Sequence, residues 1–298
     1  YLREYFRIKT QIDRQDYEGC WEKLGQLKDY EVYHPYEDIE RVRLLIQEKR
    51  GLEAVELAEK LLHNHKDDVY IGYWAGRAYW SNEQWEEAYQ CWQHVMDCMP
   101  DHYTARIGLI KYYIKKEDYL KAKEIIMELL EINGRDEMVL SFMREVNVYL
   151  IDYYWQMAEK EPEVRKHAVE ACWCMFQNEQ FKETIRKLNQ LGIRQDEPEY
   201  YDYVNMMGRC YLGLEDDELA ITYLKKWDAE REKLVDDGSE KYQKRQKREG
   251  FIKSVIGVAY QNLKNYEQAE HYLTQGIAIE KEADVRHSFM DRLAMLYY

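Results

Sequence analysis

Cys91, His94 and Cys98 are spaced i, i+3, i+7, which sets them along one side of a helix, and His102 follows shortly after. Thiolate and imidazole groups are the ligands of zinc sites, so this is the one constellation in the chain with metal-binding chemistry. The plainer reading makes the two cysteines small apolar fillers and His94 a surface residue, and no metal or other cofactor is expected. Cys172 and Cys174 flank Trp173; residues two apart on a helix point away from each other, so they are not a redox pair. The run KYQKRQKRE (241–249) is basic, but the neighbouring DAEREKLVDDGSE supplies acidic partners, which reads as a solvated charged face. No phosphate-binding glycine loop, HExxH, nucleophile elbow or EF-hand loop occurs, so a non-catalytic role is expected. Basic residues also recur at a longer interval. Arg43, Arg77 and Lys111 are separated by 34 and 34 residues.

The elements that position these residues follow from composition and period. Of 298 residues, 46% are hydrophobic and 34% charged, enough to build a core and stay in solution. Four prolines fit a mostly helical chain, because proline breaks helix interiors. The net charge of −14 argues against a nucleic-acid binder and against an anionic membrane surface. No apolar run reaches the length of a membrane helix. Six cysteines without a CxxC pair read as free thiols in a reducing compartment, giving an expected cytoplasmic location.

The chain repeats. Ala75, Gly76, Tyr79, Trp85, Ala88, Trp92, Val95 and Pro100 define one unit. Adding 34 gives Leu109, Ile110, Tyr113, Tyr119, Ala122, Ile126, Leu129 and Gly134; subtracting 34 gives Val42, Leu45, Gly51, Ala54, Ala58 and Leu61. A first unit holds Tyr17, Cys20, Leu24 and Leu27, and later units are marked by Ala171-Cys172, Met207-Gly208 and Ile256-Gly257. This pattern resembles the tetratricopeptide repeat, a 34-residue helix–turn–helix, with Gly72 standing where that family usually has tryptophan. The fold expected is all-α, a right-handed α-solenoid. Its organisation is read as four regular repeats over 1–136, a long irregular helix over 137–162, and three further repeats over 163–298. That last part includes a charged helical extension near 228–249, turning at Asp237-Gly238, and a truncated final repeat.

The resemblance also implies a site. In the family the first helix of each pair lines a groove, and the residue after its small position faces into it. Those residues are Arg43, Arg77 and Lys111, with Arg209 at the same place later and Trp173 standing there in between. Tyr36, Tyr70, Tyr73 and Trp80 fall at neighbouring groove positions. A ladder of cations beside tyrosines suits an extended acidic peptide or a terminal carboxylate. The Lys and Asn clamp by which some members hold chaperone tails is not reproduced, since Tyr73 and Ile107 occupy clamp positions. The function expected is a scaffold that binds a protein or peptide of acidic character, with no nucleic-acid or membrane partner. The alternative is the accessory repeat region of a larger protein, such as a J-domain co-chaperone or a peptide-sensing regulator. Within Gly76–Trp92, Trp85 and Trp92 are expected in the core, with Trp80 left to the groove.

Overall fold

A computed structural model describes residues 1–30, 34–233, 248–280 and 283–297. The proposed turn at Asp237-Gly238 and most of the charged extension and basic run lie outside the described residues. Among those described, regular structure is helical throughout. The chain divides into two compact units, Tyr1–Val146 and Asn147–Tyr298.

The first unit stacks antiparallel pairs: α1 (Leu2–Asp13) with α2 (Cys20–Gln26), α3 (Pro35–Gln47) with α4 (Gly51–Asn64), α5 (Val69–Ser81) with α6 (Trp85–Cys98), and α7 (Tyr103–Lys115) with α8 (Tyr119–Ile132). It ends in the opening turns of α9 (Glu137–Lys160). The second unit holds the rest of α9, then α10 (Arg165–Gln177) with α11 (Phe181–Leu191), α12 (Tyr200–Gly213) with α13 (Asp217–Glu232), α14 (Glu249–Asn262) with α15 (Tyr266–Ile279), and α16 (Ala283–Ala294). The paired helices pack chiefly on their sequence neighbours, which makes both units all-α solenoids.

Two local devices recur every 34 residues. The first starts the leading helix of each pair. His34, Asp68, His102 and Asp136 each accept a backbone N–H of the following turn, at 3.3, 3.0, 3.1 and 3.1 Å. Such caps satisfy orphan donors at the helix start. The second reverses the chain between paired helices. Gln15, Lys49, Glu83 and Glu117 all adopt left-handed φ near 60°, two residues past the end of the leading helix, as do Glu179, Glu215 and Lys264 in the second unit. One more step of 34 from Glu117 falls on Ile151, inside α9. A β-branched side chain is a poor occupant of the left-handed region, so the helix runs on where a turn would otherwise form. Glycine has no Cβ penalty there. Glu117→Gly is therefore expected to raise stability by about 0.5–1 kcal/mol and Glu117→Val to lower it by more, read as shifts in urea midpoint.

The core of each pair is a small residue facing a large one. A Cβ added at Gly76 would lie 2.4 Å from the indole nitrogen of Trp92, and one at Gly108 would lie 2.5 Å from its far edge. Trp92 is thus wedged between α5 and α7, 1% exposed, and donates its indole N–H to the Tyr73 carbonyl at 3.3 Å. The same register recurs as Gly208 against Leu224 and Gly257 against Leu273. Trp85 is half-buried, its ring meeting Trp80 edge-on at 4.6 Å. Pro35 opens α3, and Pro100, Pro162 and Pro198 lie in connections between helices, where the missing N–H costs nothing.

Candidate functional site

The 34-residue recurrence places Arg43 on α3, Arg77 on α5 and Lys111 on α7, but their surroundings differ. Arg43 is bound internally. Its guanidinium donates to Glu40 Oε2 at 2.7 Å and to Asp13 Oδ1 at 2.6 Å, and stacks 4.7 Å above the Trp74 ring. Glu40 is wholly buried and also receives the hydroxyls of Tyr5 and Tyr70, each at 3.4 Å. Burial holds its carboxyl above the usual range while Arg43 and Lys9 pull it back. Tyr70 is thereby tied into the same network, and Tyr36 donates to the capping carboxylate of Asp68 at 2.8 Å. Arg43, Tyr36 and Tyr70 are held by partners within the chain.

Arg77 and Lys111 lack that arrangement for a reason visible in the repeat. The carboxylates that hold Arg43 sit three residues before it and thirty before it. The equivalents for Arg77 are Trp74 and Gln47, and for Lys111 they are Gly108 and Ser81. None is charged. Among the described residues neither Arg77 nor Lys111 forms an ion pair with a carboxylate. The Arg77 guanidinium instead donates to the Tyr73 hydroxyl at 3.1 Å and lies 5.4 Å over Trp74. Desolvation, with the Arg77 charge nearby, holds the Lys111 ammonium below the usual lysine range.

The two cations share a pocket of 340 Å³. Tyr73, Arg77 and Trp80 enter it from α5, and Thr104, Ile107 and Lys111 from α7. Tyr103 and Met138 complete its rim. Trp80 is half-buried, its ring 5.6 Å from Trp92, so the pocket floor is continuous with the core wedge. The Tyr103 hydroxyl is turned to Asp136 at 2.8 Å, repeating the Tyr36–Asp68 bond two pairs further on. Tyr103, Thr104 and Met138 escaped the sequence reading. Thr104 is one step of 34 from Tyr70, so the repeat itself carries that signal.

Arg209 and Trp173 belong to the second unit. The Arg209 guanidinium lies 4.5 Å over Phe176 and 5.7 Å over Phe251. Burial and the nearby Arg248 charge draw it down to about 10. Trp173 packs half-buried beside Val169, Cys172 and Met206, and meets Phe176 edge-on at 5.6 Å.

The cysteine–histidine constellation serves other ends. Burial pushes the Cys91 thiol up to about 12, so it stays protonated. His94 Nε2 lies 3.2 Å from the Lys66 carbonyl, and His102 caps α7 with a ring that desolvation holds below the usual histidine range. Among the described residues no group of three or more His, Cys, Asp or Glu is arranged to hold a metal, and no helix is long and apolar enough to cross a membrane.

Residues 254–282, which span most of α14 and all of α15, match the sequence model of the tetratricopeptide repeat. Their Gly257–Leu273 wedge is the one seen at Gly208–Leu224 and Gly76–Trp92. Residues 254–282 are a tetratricopeptide repeat. Solved structures similar to it include a tetratricopeptide repeat protein from Parabacteroides merdae, 13% identical over 100% of this chain and 99% of that one, with a TM-score of 0.39. PilF of Pseudomonas aeruginosa is 16% identical over 82% and 95% of the two chains, with a TM-score of 0.45. The Naa15/Naa10 complex bound to HypK includes a chain 11% identical over 99% of this chain and 55% of that one, with a TM-score of 0.42. Comparison with curated proteins gives no match. The pocket lies between the leading helices of two consecutive helix pairs.

Proposed function

We propose that the first unit is a protein-interaction scaffold that takes an acidic segment of a partner into the pocket between α5 and α7. The observation that carries this reading is the pair Arg77 and Lys111, which share one pocket without a carboxylate partner among the described residues. A protein of net charge −14 has acidic groups in excess, yet the positions that would neutralise these two cations hold Gln47, Trp74, Ser81 and Gly108. An anionic side chain or terminus arriving from a partner supplies what the chain withholds, and charge-assisted bonds to Arg and Lys are the strong class. Trp80 and Ile107 offer apolar contact beside the charges, the mixture that orients a ligand.

Arg43 and Tyr36 from the preceding pair, with Tyr70 on α5 itself, support the pocket by holding α3 against α5 and Trp74 beneath Arg77. Arg209 and Trp173 form a separate candidate contact surface in the second unit. The accessory-region reading is compatible with this role, because a scaffold serves chemistry carried elsewhere in a larger protein. Affinity purification with wild-type protein and with Arg77→Glu/Lys111→Glu tests the proposal. Partners recovered with wild type should fall at least ten-fold with the reversed pair, while the melting temperature stays within about 2 °C, as expected for surface changes outside the core. Equal recovery by both proteins refutes it.

A further inference from the structure

We propose that the Arg77–Lys111 pocket selects a phosphorylated side chain of its partner over an ordinary carboxylate. This rests on the reading of the pocket as a partner-binding site and names the group it takes. Two cations from consecutive repeats converge on one pocket whose lining holds no acidic residue. The carboxylate bonded to the lining residue Tyr103, that of Asp136, is engaged: it accepts the Tyr103 hydroxyl at 2.8 Å and the backbone N–H groups of Met138 and Val139 at 3.1 Å each. The two cations therefore stand against each other, and Lys111 is held below its usual range partly by the Arg77 charge.

One carboxylate brings a single negative charge to two cations. A phosphate monoester brings nearly two, on three acceptor oxygens, and can face a guanidinium and an ammonium together. Arg77 is oriented for this by Tyr73 and by Trp74 beneath it, which fix a long side chain before the ligand arrives. The pocket volume, 340 Å³, is near the lower end for ligand sites, which suits one side chain and its terminal group. The apolar stem of that side chain has Trp80 and Ile107 to lie against.

Degenerate nonapeptide libraries with the central residue fixed as phosphotyrosine, phosphoserine, sulfotyrosine or glutamate test this by fluorescence anisotropy. Sulfotyrosine matches phosphotyrosine in shape but carries one charge. A phosphorylated library is expected to bind wild-type protein at least ten-fold more tightly than the sulfotyrosine and glutamate libraries. Lys111→Gln, at an exposed position, should reduce that preference to about two-fold or less; Arg77→Met/Lys111→Met should abolish it. Equal affinity for the glutamate and phosphorylated libraries, with both lost in Arg77→Glu/Lys111→Glu, overturns the phosphoryl preference and leaves the acidic-segment reading standing. No binding by any library overturns both. Displacement of the phosphorylated library by inorganic phosphate at equal concentration also overturns the proposal, because the site would then recognise the free ion.

Discussion

Replacing Trp92 by alanine is expected to destabilise the first unit by about 3–5 kcal/mol, the cost of emptying a large aromatic site in a packed core. The indole is 1% exposed and bridges two repeats, touching Gly76 on its own pair and Gly108 on the next. Its removal opens a void between α5, α6 and α7 and releases the bond to the Tyr73 carbonyl. The glycines make the complementary case. Gly76→Val places new atoms where the indole nitrogen already lies 2.4 Å from an added Cβ, so the helices must separate or the ring must leave its position. An overpacked site of this kind is expected to lose about 1–3 kcal/mol or more. The pair Gly76→Val/Trp92→Leu should recover part of the combined loss, because it restores one large and one moderate residue across the contact. Urea unfolding of wild type, Gly76→Val, Trp92→Leu and Gly76→Val/Trp92→Leu gives the cycle. Additive losses would show that the two residues do not share the wedge.

Arg43→Met is expected to cost about 3–5 kcal/mol at pH 7, because it leaves the buried Glu40 carboxylate without its cation. The pH dependence has a definite sign. Burial already holds the Glu40 carboxyl above its usual range, and Arg43 is the largest influence opposing that rise. Without it the folded-state pKa moves further up. Between the unfolded-chain value, near 4.3, and the raised folded-state value, the folded protein holds a proton that the unfolded chain does not. Stability of the variant relative to wild type should therefore recover as pH falls from neutral towards about 4.3, and worsen as pH rises through the folded-state pKa. A deficit that stays constant across that window would show that Glu40 is not the group left exposed to the change. Glu40→Gln in the Arg43→Met background should remove most of the pH dependence.

How far these features are legible in the sequence depends on what the period of 34 determines. It locates the small positions, and Gly76, Gly208 and Gly257 each face a large residue sixteen places later. All-α stacking and the tetratricopeptide register follow from that. The same period gives Arg43, Arg77 and Lys111 a common helix face, but it is silent on their partners. That distinction lies in residues outside the repeat consensus: Glu40 three before Arg43, against Trp74 and Gly108 at the equivalent places. An i, i+3 carboxylate is readable once sought; Asp13 is not, because it reaches Arg43 from another helix pair. The tryptophans divide for a similar reason. Trp92 sits on the wedge register, whereas Trp74 becomes the platform under two guanidinium groups, that of Arg77 on its own helix and that of Arg43 from the preceding pair. The left-handed turn residues are Gln, Lys and Glu rather than glycine, so composition gives no sign of them; only their spacing does.

The central claim is that Arg77 and Lys111 together receive an anionic segment of a partner. Its most direct test is the affinity of the purified protein for degenerate peptide libraries fixed centrally as glutamate, phosphoserine or alanine, measured at two salt concentrations for wild type and Arg77→Glu/Lys111→Glu. The expected result is a preference of wild type for an anionic library over alanine, weakened by salt, and absent from the charge-reversed variant at unchanged melting temperature. Anionic and alanine libraries bound alike by wild type, or bound alike by wild type and variant, would contradict it.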